Sequence, residues 1–406
     1  MPDTPYYAVW AVLVYAWVAN YLIRMALGAL LPPIMEELAL SYTQAGFLST
    51  AFFYAYMAIQ FPAGAFGDRF GRKRSLITGV LLGALAAVST GSARSFGALF
   101  AARLLTGIGQ GFLFSNDRVI IAAVTPRDKM ALGQGVSFSG PGLGTTVGLL
   151  LAGALGALMP WRSVFMSFGL PPLLAAILIW RLVPEPPHHV RATDPAWPFS
   201  RVLRTRDFWL LGATGIMPVY IQFVLATWAP LFFAELGVAD LARSASLASL
   251  QGVPAPFALA LSGFLADRFH RHGFPRKLII AATLLLSALS VTAMGLLVHV
   301  RGPAWLLIAF MLAASFFFWC AWGPAYAIFG ELFPSSVLGK AFGLYNSTCF
   351  LGAIVGPVLT GYIRDITGSF AASLFAAGVL CLLSVMTAMA LGPAGGVARG
   401  ASLAGR

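Results

Sequence analysis

Apolar runs of about 20 residues recur along the whole chain, and each is long enough to cross a hydrocarbon core of about 30 Å as an α-helix. Inside lipid, a single such run can satisfy its own backbone N–H and C=O groups only as a helix, so this pattern confines the chain to helical spans. The runs fall at roughly 8–31, 42–63, 74–92, 96–122, 132–158, 162–183, 207–233, 243–265, 277–299, 304–328, 341–363 and 370–391, each closed by a short stretch with Pro, Gly or charge. They predict an all-α membrane protein with twelve transmembrane helices. Composition agrees: of 406 residues 59% are hydrophobic and 10% charged, too few charges to cover a soluble surface.

A formal charge of +12 raises the question of nucleic acid, and the placement of the basic residues answers it. Arg69, Arg72, Lys73, Arg74, Arg127, Lys129, Arg181, Arg191, Arg201, Arg204, Arg206, Arg268, Arg271, Arg276, Lys277, Lys340, Arg399 and Arg406 fall in alternate loops and the tail. The opposite loops hold Arg94, Arg162, Arg243, Arg301 and Arg364, and Arg24, Arg103 and Arg118 lie within spans. This asymmetry predicts the first group, and both termini, to be cytoplasmic in a multi-pass cell-membrane protein. The first run is too long for a cleaved signal and has no basic segment before it, so it is expected to be a span. Cys320, Cys349 and Cys381 lie in spans and read as small packing residues, while the histidines sit in loops or at a helix end. No metal or cofactor is expected, and no G-x-x-x-x-G-K-[ST] cradle for ATP occurs.

The chain repeats itself. Arg24, Pro32, Glu37 and Leu38 match Gln222, Pro230, Glu235 and Leu236 at one constant offset, and the loop Gly64–Arg69 ending in Asp68-Arg69 has a second copy ending in Asp267-Arg268. The expected organisation is a six-helix half over 1–183, a cytoplasmic linker over 184–206, a second six-helix half over 207–391 and a tail over 392–406. Carriers built from two such pseudo-symmetric halves place their substrate between them.

The stretch Gly64-Ala-Phe-Gly-Asp68-Arg69-Phe-Gly-Arg72-Lys73 resembles the loop signature of the major facilitator superfamily, and Arg103-Leu-Leu-Thr-Gly107-Ile-Gly109-Gln110-Gly111 resembles its helix 4 signature. The resemblance covers nearly the whole length and implies a monomeric secondary transporter rather than an enzyme, working in the lipid bilayer by alternating access. It implies gating roles for Asp68, Arg69, Arg72, Asp267 and Arg268. Physically, Asp68 suits the unpaired N–H groups and positive dipole at the start of span 11, near Gly339 and Ala341.

Arg24 lies deep in span 1, and Trp17, Asn20, Tyr21, Arg24 and Gly28 recur at helical spacing, so that face is expected to line a cavity. A guanidinium there offers a fork of donors to a carboxylate. Asn20-Tyr21-Leu-Ile23-Arg24 followed by Leu31-Pro32 resembles the first helix of the anion:cation symporter family, which implies a small organic anion as substrate, with a proton or counter-anion as its partner ion. Ile23 and Gln110 stand where that family carries Asp and Glu, so the acids of the usual proton route are neutral here. Arg103, Gln110 and Asp117 are seven apart and share one face of span 4, which leaves Asp117 as the coupling candidate, with an ion pair to Arg118 as its competing role. Arg103 is expected to brace span 4 against span 1 on the gating side. In the second half Gln222, Trp228, Trp319, Trp322, Tyr326, Tyr345 and Asn346 are the polar and aromatic candidates for the substrate. The rival readings are a multidrug or cation exporter of the same superfamily and a non-transporting scaffold; Arg24 without an acid in span 1 argues against the first.

Overall fold

The computed structural model describes residues 5–126, 129–185, 198–238, 240–333 and 335–392, and the side chains of Asp68 and Asp267 lie outside the described residues. Regular structure among them is helical: α1 (Tyr6–Glu37), α2 (Tyr42–Phe70), α3 (Arg72–Ser92), α4 (Phe96–Val124), α5 (Met130–Gly156), α6 (Trp161–Ser167), α7 (Leu170–Leu182), α8 (Phe199–Arg204) and α9 (Arg206–Glu235). After these come α10 (Leu241–Ser249), α11 (Pro254–Arg271), α12 (Arg276–His299), α13 (Ala304–Cys320), α14 (Trp322–Leu332), α15 (Ser335–Cys349), α16 (Leu351–Thr367) and α17 (Phe370–Met389). Among the described residues, ten helices or joined helix pairs are long and apolar enough to cross a membrane by length and composition. α2 and α5, at 29 and 27 residues, have the length as well.

Helix starts follow local chemistry. Ser41 and Gln44 form a reciprocal capping box on α2, and Ser95, Asp240 and Ser369 accept a first-turn N–H on α4, α10 and α17. Four expected spans are broken helices rather than single rods. The breaks at Gly169, before Pro171-Pro172, at Gly252-Val253, before Pro254, and at Ala321, before Pro324, lie where proline withholds an N–H from the ladder. The break at Phe350 has only Gly352 beside it.

The chain divides into two compact units. The first comprises Met1–His189, Leu225–Val253 and Pro357–Ile366. Glycine spacing sets its packing. Gly140, Gly144 and Gly148 on α5 lie against Trp17, Tyr21 and Met25 on α1, so side chains at i, i+4 and i+8 of one helix enter a groove that a Cβ would fill. On α4, Gly107 abuts the Phe52 carbonyl of α2, Gly109 the Gly79 carbonyl of α3, and Gly111 the Ile59 side chain. The helix 4 signature thus seats α4 against both α2 and α3. In Gly107→Ala the new methyl meets backbone that cannot move aside, an overpacking cost of about 1–3 kcal/mol. A lowered apparent melting temperature of the purified protein is expected, and an unchanged one would contradict this packing.

The same unit gathers the later segments at the end where α2 begins. Gly28 of α1 lies against the backbone of Ala226, Gly46 of α2 against Pro357, Gly361 of α16 against Tyr42, and Gly153 of α5 against Ala245. These approaches explain why Leu225–Val253 and Pro357–Ile366 group with the first unit, although they fall within the second sequence half. The second unit comprises Val190–Val224, Pro254–Gly356 and Thr367–Arg406. There α12 packs along α13 and α17, and Lys277 Nζ donates to the Met389 and Leu391 carbonyls, closing the end of α17.

Candidate functional site

Arg24 is 6% exposed, although it carries a charge in the middle of α1. Its Nη1 donates to two neutral oxygens, Tyr21 Oη at 3.1 Å and Gln110 Oε1 at 2.9 Å. Three rings surround the guanidinium carbon, with Phe52 at 4.3 Å and Tyr21 and Phe53 at 4.9 Å from ring centroid, a cation–π setting for a desolvated cation. Gln110 Nε2, buried beside it, makes no hydrogen bond among the described residues, so an amide donor stands next to the cation.

The three polar residues expected on one face of span 4 all turn toward α1. Arg103 donates from Nη1 to the Ile23 carbonyl at 3.2 Å and from Nη2 to the Arg24 carbonyl at 3.3 Å, tying α4 to the backbone that carries Arg24. Asp117 is fully buried; its Oδ2 accepts from Trp17 Nε1 at 2.8 Å and Ser137 Oγ at 3.1 Å and lies 3.6 Å from Arg118 Nε. The ion pair foreseen with Arg118 is thus present, and the other contacts of the carboxylate are hydrogen bonds from Trp17 on α1 and Ser137 on α5. Trp17 and Tyr21 are ring neighbours at 6.0 Å, so aromatic contact links Asp117 to Arg24. Asn20 is buried and spends its amide N–H on the Ala16 carbonyl.

In the second unit, Tyr345 is buried in a cluster of rings with Trp322, Tyr326, Phe329 and Phe342, at centroid separations of 5.0–6.5 Å. Gln222, Trp319, Tyr326 and Asn346 are half-buried. No signal in the sequence separates Phe329 and Phe342 from ordinary packing aromatics.

At the loop signature, Arg72 Nη1 donates to Asn116 Oδ1 at 3.0 Å and to the Gly64 carbonyl at 3.2 Å. Asn116 donates in turn to Ser75 Oγ and to the Phe112 carbonyl, both at 2.7 Å, so one amide of α4 joins the ends of α2 and α3. Glu185 accepts from the backbone N–H groups of Arg72 and Lys73, neutralising the start of α3. A cavity of about 590 Å³ opens there between Arg69, Lys73, Arg74, Trp180 and Glu185, apart from the Arg24 cluster. Asn116 and Glu185 were not among the sequence candidates: Asn116 is a lone amide in an apolar helix, and Glu185 lies over 100 residues from the groups it caps. Arg69 lies over the Phe70 ring, and Arg268 is exposed at the end of α11. The gating roles expected of Asp68 and Asp267 rest on side chains outside the described residues.

Helical spans, paired loop signatures and a buried guanidinium among rings define a polytopic membrane carrier. The model of the Major Facilitator Superfamily matches residues 13–275 and 240–402, and the chain belongs to that superfamily. Among curated relatives, it is 26% identical to the hexuronate transporter of Bacillus subtilis over 386 residues, covering 91% of this chain and 90% of that one. It is also 26% identical to the probable sulfoacetate transporter of Cupriavidus necator over 406 residues, 92% and 90% of the two chains. With the 3-(3-hydroxy-phenyl)propionate transporter of Escherichia coli it shares 28% identity over 337 residues, 81% of this chain and 79% of the other. The fold is that of a bacterial homolog of the human lysosomal transporter Spinster, in an inward-facing and occupied conformation. The TM-score is 0.82 at 18% identity, over 94% and 96% of the chains. A D-xylose-proton symporter matches with TM-score 0.78 at 16% identity, over 96% and 98%.

Proposed function

We infer that this protein carries a small organic anion, a carboxylate or related oxyanion, across the cell membrane by alternating access, with Arg24 as the seat of the anionic group. The observation that carries this reading is the Arg24 guanidinium deep in α1, held by the neutral oxygens of Tyr21 and Gln110 with the Gln110 amide N–H beside it. An incoming oxyanion meets a preorganised cation and a second donor in a low-dielectric surrounding, where charge-assisted hydrogen bonds are strongest. The relatives named above support the same class, since each carries an organic acid by name. The basic loops, with both termini, face the cytoplasm, and the chain works as a monomer.

With Ile23 and Gln110 in place of acids, the carrier exchanges anions or equilibrates them rather than driving uptake with protons. In proteoliposomes loaded with an unlabelled organic acid, the labelled acid should enter by counterflow, and an imposed pH gradient should add no accumulation. Accumulation that follows the pH gradient and disappears in Asp117→Asn would overturn this expectation and make Asp117 the proton carrier. Absence of counterflow for every organic acid would overturn the function itself.

A further inference from the structure

The cavity at the loop signature lies apart from the Arg24 cluster and has its own charge pattern. About 590 Å³ in volume, it is lined by the cationic residues Arg69, Lys73 and Arg74 and by one acid, Glu185. That acid is already committed: its carboxylate accepts the backbone N–H groups of Arg72 and Lys73, so the start of α3 is filled by the protein itself. The side chains of Lys73 and Arg74 make no hydrogen bond or ion pair among the described residues, and the Arg69 guanidinium lies over the Phe70 ring. Three cations thus face a cavity whose lining acid is spent on backbone.

Two apolar faces lead into it. Beyond Arg74 on the same face of α3 come the exposed Leu81 and Leu85, and α7, packed against α3, exposes Leu173, Ile177 and then Trp180 at i, i+4 and i+7. Trp180, 63% exposed near the end of α7, lines the cavity. Exposed leucines on spans meet acyl chains, and a tryptophan at the end of a span marks the headgroup level. By the distribution of Lys and Arg, this end faces the cytoplasmic leaflet. A free phosphate would use the cations and leave the leucine faces unused; a phospholipid uses both. A zwitterionic headgroup carries its own cation into a cavity that lacks an acid to receive it, whereas basic pockets between spans on the cytoplasmic side suit anionic headgroups.

We propose that this cavity binds the phosphodiester of an anionic glycerophospholipid of the cytoplasmic leaflet, with Lys73 and Arg74 on the phosphate and Trp180 beside the upper acyl chain. The test titrates the delipidated full-length protein in neutral detergent with phosphatidylglycerol, phosphatidylethanolamine and phosphatidylcholine of matched acyl chains, and reads the bound lipid by native mass spectrometry. Phosphatidylglycerol should bind about tenfold or more tightly than the other two, at roughly fivefold for each cation on the phosphate. The double variant Lys73→Gln/Arg74→Gln should bring it down to the level of phosphatidylcholine. Phosphatidylglycerol with brominated acyl chains should quench tryptophan fluorescence of the wild type more than that of Trp180→Phe. The order of the three wild-type affinities stands as a test even if a variant fails to fold. Equal binding of the three lipids, or a preference for phosphatidylglycerol that survives the double variant, would overturn the proposal. Displacement of phosphatidylglycerol by millimolar inorganic phosphate, with equal quenching in Trp180→Phe, would overturn it in favour of a free-anion site.

Discussion

Replacing Asp365 with alanine is expected to raise, by about 2- to 30-fold, the rate at which a cysteine placed at Asn20 reacts with an impermeant maleimide added from outside. Asp365 stands at the last turn of α16 and caps the start of α2: it accepts from Tyr42 N at 3.0 Å, from Thr43 N at 2.8 Å and from the Thr43 hydroxyl. Beside it, Arg364 pairs with Glu235 at 3.0 Å and lies over the Tyr42 ring at 5.0 Å, and Trp228 donates to the Pro357 carbonyl. All these contacts are internal to the first unit, at its end opposite the basic Gly71 loop, and by the distribution of Lys and Arg that end faces outward. Two states of an alternating carrier differ in which end is closed, so a contact made in one state contributes its whole free energy to their ratio. A helix cap contributes about 0.5–2 kcal/mol, and the half-buried Arg364–Glu235 pair is left in place by the substitution. Asp365→Ala removes the cap and leaves the Arg24 cluster intact. Labelling at the wild-type rate would show that α2 and α16 are held together by their backbone approaches alone. Cys320, Cys349 and Cys381 are buried and leave a low background for the measurement.

That latch was invisible in the sequence for a physical reason. An aspartate near the end of a span reads as a loop charge, and its partners at Tyr42 and Thr43 lie more than 320 residues away. The existence and order of the spans were legible because hydropathy over about 20 residues is a direct record of contact with lipid. The break at Phe350 was not, since no proline marks it and both pieces of the broken helix stay apolar. Arg24 and Gln110 stood out as polar groups at a depth where each needs a reason, and the structure brings them within 2.9 Å. Phe52 and Phe53 did not, because an aromatic in a membrane helix looks the same whether it packs against leucine or against a guanidinium. The glycines of α4 were recognisable as a signature, but only the packing shows that each one meets a different neighbour.

Arg24→Ala is expected to abolish specific anion binding, and Arg24→Lys to weaken it about tenfold or more. A lysine keeps the charge but replaces the planar fork by a strongly hydrated point, and the loss of one charge-assisted hydrogen bond is worth roughly 1.5–3 kcal/mol. Lysine also has no planar face to set against Phe52, so the ring contacts at 4.3–4.9 Å are weakened together with the fork. Arg103 holds the carbonyl of residue 24 through the backbone, which these substitutions leave in place, so α1 should keep its seat on α4. The most direct measurement is counterflow of radiolabelled benzenesulfonate and of D-glucuronate into proteoliposomes loaded with the same anion, with wild type, Arg24→Lys and Arg24→Ala side by side. The account predicts counterflow of at least one of these anions by the wild type, a strong reduction in Arg24→Lys and none in Arg24→Ala. Wild-type counterflow in Arg24→Ala would contradict it.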